Sequence, residues 1–198
     1  MRSLKLILIL NLFIALNALN AFAADNAKIS RSDIAEIVRG ASRGEAEAQC
    51  ALGIMYLGGV SVKQDDKQAF NYIKQAADKG VEFALYQTGL MYARGRGVNK
   101  NLNQAIKYLN KVLNLNSLNN DFAPYANYEL GLIYEAQNNL KQAFNYYKNS
   151  ADSGYAPAQC VTGLLYAANK NYKQAEFYFS QAATQGELDA QRYLNYLK

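Results

Sequence analysis

Apolar positions along the chain fall into two phrases that alternate. The first, Ala48-Gln49-Cys50-Ala51-Leu52-Gly53-Ile54-Met55-Tyr56, returns as Ala84-Leu85-Tyr86-Gln87-Thr88-Gly89-Leu90-Met91-Tyr92. It returns again as Ala126-Asn127-Tyr128-Glu129-Leu130-Gly131-Leu132-Ile133-Tyr134 and as Ala158-Gln159-Cys160-Val161-Thr162-Gly163-Leu164-Leu165-Tyr166, with a half copy from Ala190. Each full copy is followed by a second phrase: Ala69-Phe70-Asn71-Tyr72, Ala105-Ile106-Lys107-Tyr108, Ala143-Phe144-Asn145-Tyr146 and Ala175-Glu176-Phe177-Tyr178. In both phrases apolar residues recur at i, i+3, i+4, i+7, which places them on one helical face. Gly80, Gly154 and Gly186 follow three of the second phrases, where a left-handed residue can stop a helix.

The pattern predicts an antiparallel helix pair written four times, over about 45–80, 81–121, 122–154 and 155–186, with a half unit at 187–198. Residues 24–44 form an N-terminal segment whose stretch 30–44 fits a lone capping helix, with Ile34, Ile37, Val38 and Ala41 on one face. Gly53, Gly89, Gly131 and Gly163 oppose helix propensity by about 1 kcal/mol each, so their recurrence points to a partner helix approaching closely. Residues 116–122 read as a turn-rich insertion.

The pattern Ala-x-x-x-Leu-Gly-x-x-Tyr…Ala-x-x-Tyr…Ala-Ala-x-x-Gly resembles Sel-one-like repeats (SLR), relatives of the tetratricopeptide repeat. Their inter-helix linker, Gly-x-Gly-Val-x-x-Asp, stands almost whole at Gly95-Arg96-Gly97-Val98-Asn99-Lys100-Asn101. In the first unit Ser61 occupies the second Gly position. The third and fourth units have turns four residues shorter, of tetratricopeptide type, which makes the array a hybrid. The resemblance covers about 45–198 and implies an all-α, right-handed superhelical solenoid of antiparallel helix pairs.

Ahead of the repeats, 1–23 reads as a signal peptide. Arg2 and Lys5 precede an apolar stretch to about Phe22, and Ala21-Phe22-Ala23 supplies the small-x-small cleavage pattern. Asn11, Asn17 and Asn20 interrupt that stretch, which weighs against a membrane anchor. The expectation is an exported protein of the periplasm or extracellular space, with no membrane insertion after signal removal.

Composition then narrows the chemistry. Without a single His among 198 residues, His-based triads and most zinc sites are excluded, and no metal or cofactor is expected. Removal of Arg2 and Lys5 with the signal leaves 19 basic against 16 acidic residues, a net charge of +3, too weak and dispersed for nucleic acid, which requires a concentrated basic face. Cys50 and Cys160 share one repeat position three units apart, about 30 Å at 9–10 Å per packed helix layer, beyond reach of an intrachain bridge. Buried packing or an intermolecular disulfide remain open for them. Cysteine-rich secreted relatives imply a β-lactam-binding or weakly β-lactamase-like alternative. Yet no Ser here has Lys three positions later, and Lys-Thr-Gly and Ser-Asp-Asn are absent. No catalytic residue is therefore assigned. Arg94-Gly95-Arg96-Gly97 reads either as an anion-holding loop or as a solvated linker.

The resemblance implies that the first helix of each pair lines the concave side and binds a protein or peptide. Counting back from the recurrent Gly, the inward positions are Glu47, Cys50 and Ile54, then Phe83, Tyr86, Leu90 and Arg94. They continue with Tyr125, Tyr128, Leu132 and Glu135, then Cys160 and Leu164, then Arg192 and Tyr196. Phe83, Tyr86, Leu90, Arg94, Tyr125, Tyr128 and Leu132 are the candidate binding residues, because tyrosine and phenylalanine give large contact areas at low entropic cost. Tyr56, Tyr92, Tyr134 and Tyr166 recur in every unit and read as packing.

Overall fold

Side chains able to accept from a backbone N–H mark where several helices begin. The computed structural model describes residues 30–115 and 120–197. The predicted signal segment and residues 116–119 of the predicted insertion lie outside them. Ser30 opens α1 (Arg31–Ser42) with a capping box, its hydroxyl accepting from Asp33 N–H while the Asp33 carboxylate accepts from Ser30 N–H. The helices α2 (Ala46–Gly58), α3 (Asp66–Asp78) and α4 (Glu82–Arg94) follow. Asp65 caps α3 by accepting from Lys67 and Gln68 N–H.

The chain divides into two compact bodies, 1–101 and 102–198, and α1 to α4 belong to the first. The second holds α5 (Leu102–Leu113), α6 (Ala123–Ala136), α7 (Leu140–Asp152), α8 (Ala156–Ala168), α9 (Tyr172–Thr184) and α10 (Leu188–Leu197). Within each body every helix packs on its sequence neighbours, and no strand occurs among the described residues. This is the all-α helical-repeat solenoid that the phrase pattern implied.

The two predicted turn lengths are both present. Seven residues, 59–65 and 95–101, join α2 to α3 and α4 to α5, whereas three residues, 137–139 and 169–171, join α6 to α7 and α8 to α9. In the short turns Asn138 and Lys170 take positive φ (59° and 60°), after which Asn139 and Asn171 cap the next helix. Ser61, at φ 60°, takes the left-handed conformation that Gly97 takes at φ 70°. Gly97 also has no room for a side chain, since a Cβ there would lie 1.9 Å from the Asp66 carbonyl oxygen.

Aromatic rings tie the helix pairs together. The Tyr of the first phrase stacks on the Tyr of the second in three repeats: Tyr56 on Tyr72 (centroids 5.9 Å apart), Tyr134 on Tyr146 (5.3 Å) and Tyr166 on Tyr178 (5.7 Å). Between repeats the second-phrase Phe meets the next first-phrase Tyr edge-on, Phe70 with Tyr92 at 5.1 Å and Phe144 with Tyr166 at 5.4 Å. Offset-stacked and edge-to-face pairs contribute about 0.5–1.5 kcal/mol each beyond their buried area.

The mid-helix glycines mark close approaches. A Cβ at Gly53 would sit 2.5 Å from Ile73 Cγ1, one at Gly131 2.5 Å from Tyr147 Cδ1, and one at Gly163 2.6 Å from Phe179 Cε1. The residue just before this glycine is Leu130 in one repeat, but Thr88 and Thr162 in others. Both threonine hydroxyls are fully buried and find no hydrogen-bond partner among the described residues. An unpaired buried hydroxyl costs on the order of 1 kcal/mol or more, while valine keeps the shape without the polar atom. Thr162→Val is therefore expected to raise the melting temperature by about 2–4 °C per kcal/mol recovered. An unchanged or lower midpoint by circular dichroism would show the hydroxyl to be paired.

Candidate protein-binding face

The first helix of a repeat carries the row expected to bind at every third and fourth residue, so one row samples several repeats at equal register. Among the sequence-predicted residues of the N-terminal body, Phe83, Tyr86 and Leu90 on α4 are buried, and Arg94 at its end is exposed. Cys50 and Ile54 on α2 are fully buried as well. In the C-terminal body the same register is open. Tyr125 and Leu132 are each 38% exposed and Leu164, equivalent to Leu132 one repeat on, is 40% exposed. Tyr128 and Cys160 are half-buried, while Glu135, Arg192 and Tyr196 are exposed.

The structure brings Tyr125 and Tyr128 together through a third ring, Tyr155. Tyr155 stands at the N-cap position of α8 and meets Tyr125 edge-on at 4.9 Å and Tyr128 edge-on at 5.2 Å. Tyr128 also lies 5.6 Å from Tyr147, whose hydroxyl donates to Glu135 Oε2 at 2.5 Å. Tyr155 was missed by counting along helices, because it sits in the connector after Gly154 and belongs to no helical face. Its one sequence signal is an aromatic immediately after the helix-stopping glycine.

Burial and neighbouring carboxylates set the electrostatics of this face. Burial raises the Tyr128 phenol, and Glu129, Glu135, the Cys160 thiol and Glu187 raise it further. Tyr155 is pushed up to about 12 by burial, with Tyr128, Tyr125, Glu129 and Glu187 adding to it. Cys160 is pushed up to about 11, by burial first and then by Glu187 and Asp189. Cys50 goes up to about 12, mainly by burial. Both cysteines are free thiols, held protonated near neutral pH and so poor nucleophiles. Among the described residues, no group of three or more Cys, Asp or Glu side chains is placed to hold a metal ion. No helix among them is long and apolar enough to cross a membrane.

In the Arg94–Gly97 linker one of the two arginines is engaged within the fold. Arg96 pairs with Asp66 at 3.0 Å and donates to the Leu57 carbonyl at 2.8 Å, near the C-terminal end of α2. Its guanidinium clips the second repeat's linker to the first repeat, and a cation favours that helix end.

Comparison with known proteins bears on the repeats themselves. The Sel1 repeat model fits residues 46–81, 83–117 and 157–187, together just over half of the chain. The chain belongs to the Sel1 repeat family. A tetratricopeptide repeat model fits 124–152, the repeat with the first short turn. Among solved structures, a Sel1 repeat protein from Oxalobacter formigenes is 28% identical, with a TM-score of 0.64 over 81% of this chain and 73% of that one. The protective antigen c5321 of uropathogenic Escherichia coli, which displays an SLR fold, is 23% identical with a TM-score of 0.75. That alignment covers 99% of this chain but 41% of the antigen, and a likeness at that identity shows the fold alone. No curated protein matches the chain. Sel1 and tetratricopeptide arrays are generally protein-interaction scaffolds, their stacked repeats forming extended binding surfaces.

Proposed function

We propose that this Sel1 repeat protein is a non-catalytic scaffold that binds a protein or peptide through the first-helix face of its C-terminal body. The observation carrying this reading is the ring cluster Tyr125, Tyr128 and Tyr155 beside the exposed Leu132 and Leu164. Large rings with polar tips flanked by aliphatic side chains form a surface suited to a partner's anchors. The signal-like segment 1–23 supports export to the periplasm or beyond, so the partner is sought in the cell envelope. No observation favours the β-lactam reading over this one.

Replacing Leu132 and Leu164 together with Lys is expected to abolish partner capture from an envelope fraction. Both side chains are about two-fifths exposed, so the helical content and melting temperature of the double variant are read by circular dichroism before capture is compared. Capture at parental level by the folded double variant would move the binding surface elsewhere on the molecule.

A further inference from the structure

Two carboxylates are placed beside the face just described: Glu135 is exposed on its row and accepts from the Tyr147 hydroxyl, and Glu187 follows Gly186 as Tyr155 follows Gly154. The protein carries a net charge of +5, yet beyond burial the Tyr128 phenol is raised by Glu129 and Glu135, then by the Cys160 thiol and Glu187. Glu187 likewise acts on Cys160, one repeat along the same row. The cation of that row, Arg192, is already paired with Asp189 at 3.3 Å. Carboxylates thus act on the centre of the ring cluster, beside which Leu132 and Leu164 are partly exposed.

We propose that the tyrosine face of the C-terminal body takes a cationic peptide segment in which arginine or lysine alternates with aliphatic residues. This rests on the binding face proposed above and names the chemistry of its partner. Tyrosine faces attract a guanidinium or ammonium through their ring quadrupole, most strongly where water is displaced. Carboxylates add charge-assisted hydrogen bonds, which arginine can make in pairs. Leu132 and Leu164, at one repeat position in successive first helices, receive the aliphatic side chains between the charges. The same carboxylates repel phosphate, so nucleic acids and anionic lipid surfaces are disfavoured here.

Fluorescence anisotropy with the full chain and a labelled peptide of alternating Arg and Leu tests the assignment. Saturable binding is expected, weakened on the order of tenfold when Glu129 and Glu187 are both changed to Gln, and weakened again in high salt. A peptide with citrulline at every Arg keeps shape and hydrogen bonding without the charge, and should bind at least about tenfold more weakly. Equal binding of the Arg and citrulline peptides, or an unchanged affinity in the doubly substituted chain, would overturn the proposal. If Leu132→Lys with Leu164→Lys abolishes envelope-partner capture while the Arg peptide fails to bind the parent, the face stands and its cationic partner is wrong. If those substitutions affect neither capture nor peptide binding, both readings fail. Self-association of the parent that the same Leu substitutions abolish would assign the face to a second copy and overturn the peptide.

Discussion

Gly131→Leu is expected to prevent the C-terminal body from folding, and Gly131→Ala to destabilise it despite restoring a better helix former. The two effects in the alanine variant oppose each other and can be weighed. Alanine recovers about 1 kcal/mol of helix propensity over glycine. Against this, its Cβ would stand 2.5 Å from both Cδ1 and Cε1 of Tyr147, and overpacking of a fixed core side chain costs about 1–3 kcal/mol. Tyr147 has little freedom to yield: it is 1% exposed and its hydroxyl is tied to Glu135. The clash therefore wins, and leucine, with three more carbons aimed at the same ring, removes a large part of a stability of about 5–15 kcal/mol. Thermal unfolding of the alanine variant by circular dichroism decides the matter. A midpoint above the parent's would show that close approach is not what fixes glycine there. Because Tyr147 packs on Tyr128, the alanine variant should also weaken partner binding more than its stability loss alone explains.

Most of the fold was legible because a solenoid writes its packing rules repeatedly. The i, i+3, i+4, i+7 rows, the helix-stopping glycines and the two turn lengths each recur, so agreement between copies separates signal from accident. Ser61 shows how far this reaches: its alignment with Gly97 in the linker pattern coincides with the same left-handed backbone. What the repeats could not reveal were contacts made by residues that differ between copies. Arg96 occurs once at its linker position, and its pairing with Asp66 and the Leu57 carbonyl depends on how one repeat's loop lies against the preceding repeat.

The binding face divides in the same way. Tyr125, Tyr128 and Leu132 were legible because helical register fixes which side of α6 they occupy. Register does not fix exposure, which depends on what lies above a row. Phe83, Tyr86 and Leu90 hold the same register as Tyr125, Tyr128 and Leu132 and are buried. Tyr155 escaped because connector residues obey no period, and the joint action of Glu129 and Glu187 on Tyr128 and Tyr155 escaped because it arises only in three dimensions.

The recurrent Ala-Gln-Cys of the first and fourth repeats also held more than a packing phrase, and it supports the second large effect. Gln159 is 2% exposed, its amide N–H donating to the Ala151 carbonyl at 3.2 Å and to Gln181 Oε1 at 2.9 Å. Its own oxygen accepts from Gln185 Nε2 at 2.9 Å, and that nitrogen also donates to the Gly154 carbonyl. One buried amide thus joins α7, α8 and the end of α9. In the first repeat Gln49 donates to Gln75 at 2.6 Å and accepts from Lys79 Nζ at 2.9 Å, while Lys79 also donates to the Gly44 carbonyl. The two clamps are in register, but one closes with a lysine and the other with a neutral glutamine. Gln159→Leu is expected to cost about 1–3 kcal/mol through the polar groups it strands. Glutamate separates the clamps more sharply. At Gln49 a carboxylate meets the Lys79 ammonium, whereas at Gln159 it meets only amides and a helix carbonyl. The Gln159→Glu carboxyl should therefore titrate above its unfolded value near 4.3, by burial without a counter-charge. Since the raised group is neutral in the folded protein and ionises first in the unfolded chain, stability holds below about pH 4 and falls as pH rises above it. Melting temperatures across pH should show Gln159→Glu losing stability toward neutrality relative to the parent, and Gln49→Glu losing far less. Parallel curves for the two variants would mean that Lys79 does not close the first clamp in solution.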